Sequence, residues 1–455
     1  MLHLGFEQYF SPAAYIGFWV MCVISLVWRP RWGLYYMILF LPFRTMRKRF
    51  IGFPLGANMM TFLVIAVILG AVFQGKRLPK SKLYMIWLVY GVYLYFSMWL
   101  GFALGNSPAP LWLSDRNFDI WKDYMIIPLV FVATNLLVED RKAVRTVVLL
   151  TAAALLGIAW VSVHSSMAST LTDFNEAARP KGPLAAGSNG TAAYLAQLAM
   201  FMWGFLQFVK EKRYKLIGYG LIAYTLFAAM YTFSRGGYVA ILASALVLGI
   251  VKDRKLLVIF GIFLLTWQTI VPNSVRERVT MTKDANGQLE SSAQERVDLW
   301  KESWDSFVHS PVVGEGFASF RYGHHVVSNL NDTHNMFVKV MVETGVIGLI
   351  MFFMIMQQMF ALGYRLFRRA KDPMYRGLGL GLFLATCSCF IANCFGDRWT
   401  YLELTGPLFI LVGAAVRAAQ FSEINQAPEL TSHSIAHLSR QPLSALPHLS
   451  GARRL

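Results

Sequence analysis

Acidic side chains are scarce in this chain and cysteines scarcer still: 25 Asp and Glu stand against 42 Lys and Arg, with four cysteines in 455 residues. Cys22, Cys387, Cys389 and Cys394 all fall in apolar segments, so they form neither a disulfide framework nor a zinc pattern and read as small buried side chains. Charge of either sign is also short, at 15% against 56% hydrophobic residues and a mean hydropathy of +0.47. That balance excludes an average soluble domain and points to a polytopic membrane protein. The net charge of +17 could suit nucleic acid. The basic residues, however, sit in short runs between apolar stretches, where the positive-inside rule accounts for them without a nucleic-acid partner. No internal repeat is evident, and the start, with Glu7 and no basic residue before the first apolar stretch, does not read as a cleaved signal peptide.

Apolar stretches long enough or nearly long enough to span a bilayer lie at about 12–28, 32–43, 57–74, 83–104, 121–138 and 146–163. A second set follows at about 191–209, 216–233, 237–251, 256–272, 346–363, 377–395 and 400–416. The expected fold is an all-α bundle of about 12–13 transmembrane helices with one large loop containing short helices. The organisation reads as transmembrane helices with short loops over 1–272, the large loop over 273–335, a loop helix and C-terminal spans over 336–417, and a disordered tail over 418–455.

Basic clusters recur at every second connection: Lys76 to Lys82, Arg141 to Arg145, Lys210 to Lys215, Lys252 to Lys255 and Arg365 to Lys371. These connections are expected to be cytoplasmic, as is the C-terminus, which leaves the large loop outside. One place resists the rule. Arg44, Arg47, Lys48 and Arg49 fall on the outer side unless the short second segment is re-entrant.

Within the loop, Gln294 to Phe307 has the period of an amphipathic helix, with Val297, Trp300, Trp304 and Phe307 on one face and Arg296 at its edge. Pro311 and Gly314-Glu315-Gly316 end that helix ahead of Asp332-Thr333-His334-Asn335. Three outward places combine charge with constraint. Arg235, in Ser234-Arg235-Gly236-Gly237, is held by an almost absent loop; it either snorkels to headgroups or faces a ligand that the two glycines let approach. Arg296 is either a helix-surface partner of a neighbouring carboxylate or a ligand contact. His334 has the side chain best suited to proton transfer near neutral pH.

Two guanidinium groups suit a diphosphate, because each offers a planar fork of donors that stays charged. A histidine beside them could take the proton from an attacking hydroxyl. A metal reading would use His309, His324, His325 and His334 with Asp332, but their spacing matches no zinc pattern, so no metal or other cofactor is expected. Weaker candidates are Asn335, Arg179 with Lys181, Asn189 in Gly187-Ser188-Asn189-Gly190, and Lys122 beside Asp123. Lys339 with Glu343 reads as a helical ion pair and Asp397 with Arg398 as an interfacial one.

In their order, Gly182-Pro183 to Asn189, Ser234-Arg235-Gly236, Arg296 to Trp300, Pro311 to Gly316, and His334-Asn335 with Glu343 to Gly348 resemble the O-antigen ligase and polymerase superfamily over about 75–416. The resemblance implies a GT-C-type glycosyltransferase of the bacterial inner membrane, active on the periplasmic side. It implies transfer of a glycan from undecaprenyl diphosphate to a lipid A core, another acceptor, or a growing lipopolysaccharide or exopolysaccharide chain, with no metal. By motif position, Arg235 and Arg296 match diphosphate-binding arginines and His334 the essential histidine. A transporter or flippase of a lipid-linked saccharide or anion is the alternative from another class; it would favour inverted repeats and charges at the bilayer midplane.

Overall fold

The computed structural model describes residues 7–43, 48–111, 115–167, 182–184, 187–281, 291–322 and 333–424. Helices make up nearly all of it, and no strand occurs among these residues. In chain order they are α1 Glu7–Val27, α2 Pro30–Phe40, α3 Met59–Phe73, α4 Lys82–Ala103, α5 Arg116–Leu137, α6 Arg141–Met167, α7 Gly187–Leu206 and α8 Lys212–Met230. Then come α9 Arg235–Val251, α10 Lys255–Ile270, α11 Asn273–Thr280, α12 Ser291–His309, α13 Met336–Arg369, α14 Pro373–Asn393 and α15 Leu402–Ile424. Every apolar stretch read from the sequence is occupied by a helix. By length and hydropathy alone, seven helices among the described residues suffice to cross a membrane, or eight if the bent pair α10–α11 is one span. Ser11–Val27 and Arg235–Val251 are apolar but shorter.

The bundle is organised around α14, which packs on α7, α9 and α13. Small residues make these contacts possible. A Cβ on Gly381 would lie 2.5 Å from the Phe201 carbonyl oxygen, and one on Gly379 would lie 2.3 Å from the Phe367 nitrogen. In an apolar medium, where burial alone does not drive helices together, such backbone approach supplies the packing.

The basic connections meet at one end of the bundle. Glu139, just after α5, pairs with both Arg31 and Lys76, Arg141 pairs with Asp372 at 2.5 Å, and Arg417 donates to the Val138 carbonyl at 2.6 Å. The short α2 starts at that end through Arg31, and Leu41 beyond it reaches the start of α15, where it meets the Cβ position of Gly406. α2 therefore runs through the bundle and does not turn back, which puts Lys48 at the opposite end. Arg44 and Arg47 lie outside the described residues. The last helix continues past Arg417 to Ile424; the remainder of the tail is outside the described residues.

α13 is broken where the sequence reads Glu343-Thr344-Gly345. Gly345 has φ 62°, and the Pro311–Gly316 segment docks its backbone into the break. Val346 N–H donates to the Pro311 carbonyl and Glu315 and Gly316 N–H donate to Val342 and Glu343, each at 2.9 Å. A Cβ at Gly345 would stand 2.3 Å from the Val312 oxygen, and one at Gly314 would stand 2.5 Å from Glu343 C. The break frees helical carbonyls, and the loop supplies the donors that a buried backbone requires.

Candidate active site

At the end opposite the basic connections, a cavity of about 190 Å³ collects Arg235, Arg296, His334 and Asn189. It also collects Arg278 and Glu295, which were not among the candidates, and Arg398, which reads from the sequence as half of an interfacial pair. Among the described residues, four guanidinium groups against one carboxylate make this space strongly cationic.

Each arginine is placed by local structure. Phe233 adopts the left-handed conformation, φ 52°, so the chain turns from α8 into α9 within a few residues. The Ser234 hydroxyl then caps α9 by accepting from Gly237 N–H at 3.4 Å. The two glycines serve packing: a Cβ on Gly237 would fall 2.6 Å from the Ala192 Cβ, and one on Gly236 2.8 Å from the Phe395 Cβ. Gly237 thereby brings α9 against α7 and Gly236 against Phe395 beyond α14, and both glycines also line the cavity. Arg235, at the first position of α9, donates to the Met281 carbonyl at 2.8 Å. α10 and α11 meet at 110°, and Val275 of α11 packs on Tyr231 and Phe233. That contact delivers Arg278, 5% exposed, to the cavity.

Arg296 is carried by α12. Leu299 of that helix packs on Phe320 and Val342, while Val297, Trp300 and Trp304 are exposed. Most of the apolar stripe legible in the sequence thus faces outward; Phe307 at its end packs on the Leu299 cluster, and the helix is held by the neighbouring face. Trp300 also donates from Nε1 to the Thr333 carbonyl at 3.0 Å, which ties α12 to the residue before His334. His334 has φ 53°, an uncommon conformation for a residue other than glycine. It is pinned on its far side by Asn335, whose side chain caps α13 by accepting from Phe337 and Val338 N–H at 2.9 and 3.3 Å. Asn335 therefore positions the histidine, and it does not line the cavity.

Arg398 is 5% exposed. Its amide donates to Asn393 Oδ1 at 3.0 Å and its guanidinium to the Asp397 carbonyl at 3.1 Å. Gly396 makes room for it, since a Cβ there would meet Arg398 Nη2 at 2.4 Å. Asp397 accepts from Lys339 Nζ at 2.9 Å, so the carboxylate engages α13 while Arg398 enters the cavity. This replaces the reading of Asp397 and Arg398 as one interfacial pair, and ties Lys339 to a different helix connection. Burial raises the Asp397 pKa, but the Lys339 ammonium and the Thr400 hydroxyl and amide outweigh it and hold the carboxyl below the usual range.

Lys122 does not line the cavity. Its ammonium contacts Asn58 Oδ1 at 2.6 Å and Asp119 Oδ1 at 2.5 Å, with Asp123 at 3.7 Å. Arg179 and Lys181 lie outside the described residues, as do His324, His325 and Asp332. Among the described residues no three His, Cys, Asp or Glu side chains gather as a metal would require.

Asn189 and Arg235 both belong to first helical turns. The positive ends of α7 and α9 thus add to the four guanidiniums, and the combined field favours a polyanion. No curated protein matches the chain significantly. Residues 220–353, a narrower stretch than the motifs cover but one that includes Arg235, Arg278, Arg296 and His334, match the family described as O-antigen ligase. Over that stretch the chain is similar to the O-antigen ligase family, in keeping with the superfamily its motifs resemble.

Proposed function

We propose that this chain transfers a glycan from an undecaprenyl diphosphate carrier to a separate acceptor at the periplasmic face of the bacterial inner membrane, as an O-antigen ligase. The observation that carries the reading is the convergence of Arg235, Arg278, Arg296 and Arg398 with His334 on one cavity. An acceptor hydroxyl attacks the anomeric carbon of the carrier-linked sugar. The new glycosidic C–O bond forms as the bond from the anomeric carbon to phosphate breaks, and the electron pair leaves on the diphosphate. The hydroxyl proton passes to His334. The arginines stabilise the charge growing on the leaving group, a role in which preorganised donors act most strongly in the transition state. The cavity's surplus of cations supplies that stabilisation from the protein itself.

The test uses purified protein in liposomes with an undecaprenyl diphosphate oligosaccharide, with and without a lipid A core acceptor, and follows the sugar by mass. A glycosylated separate acceptor, lost with His334→Ala, is the expected result. A longer carrier-linked chain would make the enzyme a polymerase of the same superfamily. Intact carrier-linked sugar crossing the bilayer, with no transfer and no effect of His334→Ala, would make it a transporter and overturn the role of His334.

A further inference from the structure

A second and larger cavity, of about 650 Å³, opens beside the first. Its charge is of another kind. Among the described residues, four cationic side chains are balanced by five carboxylates, where the first cavity has four arginines and one glutamate. Exposed Lys48, Ala57 and Arg116 form its rim, and buried Glu343, Asp397 and Glu403 lie at its floor. Phe50, Phe317 and Tyr401 add aromatic faces. Lys122 and Asn58 brace one wall, since the Lys122 ammonium bonds both Asn58 and the lining residue Asp119.

The two cavities share a partition. Asp397 lines the second and the next residue, Arg398, the first. On the facing element, His334 lines the first, while Lys339 and Glu343, one and two turns into α13, line the second. The Lys339–Asp397 contact at 2.9 Å closes the partition.

With cations and carboxylates nearly in balance and the Lys122 ammonium set against Asp119 and Asp123, this space offers a diphosphate no net attraction. A ligand of many hydroxyls and no net charge is suited to it: carboxylates accept from hydroxyl groups, cationic donors reach sugar oxygens, and aromatic rings cover the apolar face of a pyranose. We infer that the second cavity is a saccharide subsite that holds the hydroxyl-bearing end of the acceptor against the partition carrying His334. The inference rests on the transferase reading and adds to it where and by what chemistry the acceptor is recognised.

Native mass spectrometry of the full chain in nanodiscs tests it with two separate probes, short neutral glucose oligomers and undecaprenyl diphosphate without sugar. Ala57→Leu narrows the rim without adding a charge or an aromatic face, and Glu403→Gln keeps the floor's shape while removing a charge. Both are expected to weaken oligomer binding about tenfold, Glu403→Gln by the loss of one charge-assisted hydrogen bond and the rim variant by obstruction, and to leave undecaprenyl diphosphate binding within about twofold. Arg296→Ala is expected to do the reverse. Wild type that retains no oligomer, oligomer binding indifferent to both second-cavity variants, or oligomer binding abolished by Arg296→Ala would each overturn the inference. Diphosphate binding indifferent to Arg296→Ala would instead count against the transferase reading of the first cavity, and the oligomer readout would stand apart from it.

Discussion

Lys339 Nζ lies 2.9 Å from Asp397 Oδ2, joining the start of α13 to the connection between α14 and α15. Both side chains are largely withdrawn from solvent, at 16% and 3% exposure, so the pair is a structural tie between the elements that carry His334 and Arg398. Removing one partner leaves the other charge buried. Lys339→Met is expected to cost about 3–5 kcal/mol, seen as a lowered unfolding midpoint in detergent; an unchanged midpoint would show the tie to be idle.

The same pair sets a pH dependence. The Asp397 carboxyl titrates below its unfolded value, so between the two values the unfolded chain binds more protons and stability falls as pH falls. The contribution is fully present above the ordinary carboxylate range and is lost below it. Thermal midpoints taken from pH 7 down to 3 should fall less steeply for Asp397→Asn than for wild type. Parallel curves would contradict this.

His334→Gln removes the proton acceptor without emptying the space. Transfer is expected to drop by about 10²–10⁴-fold, the usual scale of general-base loss, while undecaprenyl diphosphate binding stays near wild type. Should binding and turnover fall together, His334 is a ligand contact and not a base.

Arg278→Lys keeps the charge and loses the fork of donors. If Arg278 grips a diphosphate, single-turnover transfer should fall by about 10-fold or more, since removing one preorganised donor costs up to about 10³-fold. Full activity in the lysine variant would assign Arg278 to structure alone.

Gly345→Ala places a Cβ 2.3 Å from the Val312 oxygen at a φ of 62°. The conformational cost alone is about 1–3 kcal/mol, and the clash adds to it by unseating the Pro311–Gly316 loop. The measurement is the unfolding midpoint together with protease cutting at 311–316; a variant as stable and as resistant as wild type would refute the account of the break.

The sequence by itself determined the helical segments, because an apolar run of near-bilayer length leaves the backbone no partner but its own helix. It also determined the alternation of basic connections, whose meeting through Glu139, Arg141 and Asp372 bears out that they share one end. Arg235 stood out because charge beside an almost absent loop is locally visible, and Arg296 and His334 through their motif positions in the large loop. Only the tertiary structure decided that these residues face one cavity, since they come from separate helices brought together by packing around α14. Arg278 carried no local signal, lying in an ordinary polar helix, and Arg398 was legible only as the partner of an aspartate that turns to Lys339. Periodicity showed that α12 has an apolar stripe but not which face it packs, because Leu299 meets Phe320 and Val342 through contacts that no local pattern encodes. The glycines show the same division: their positions are written in the chain, but whether each admits a ligand, a helix or a docked loop is decided by what the fold puts opposite its missing Cβ.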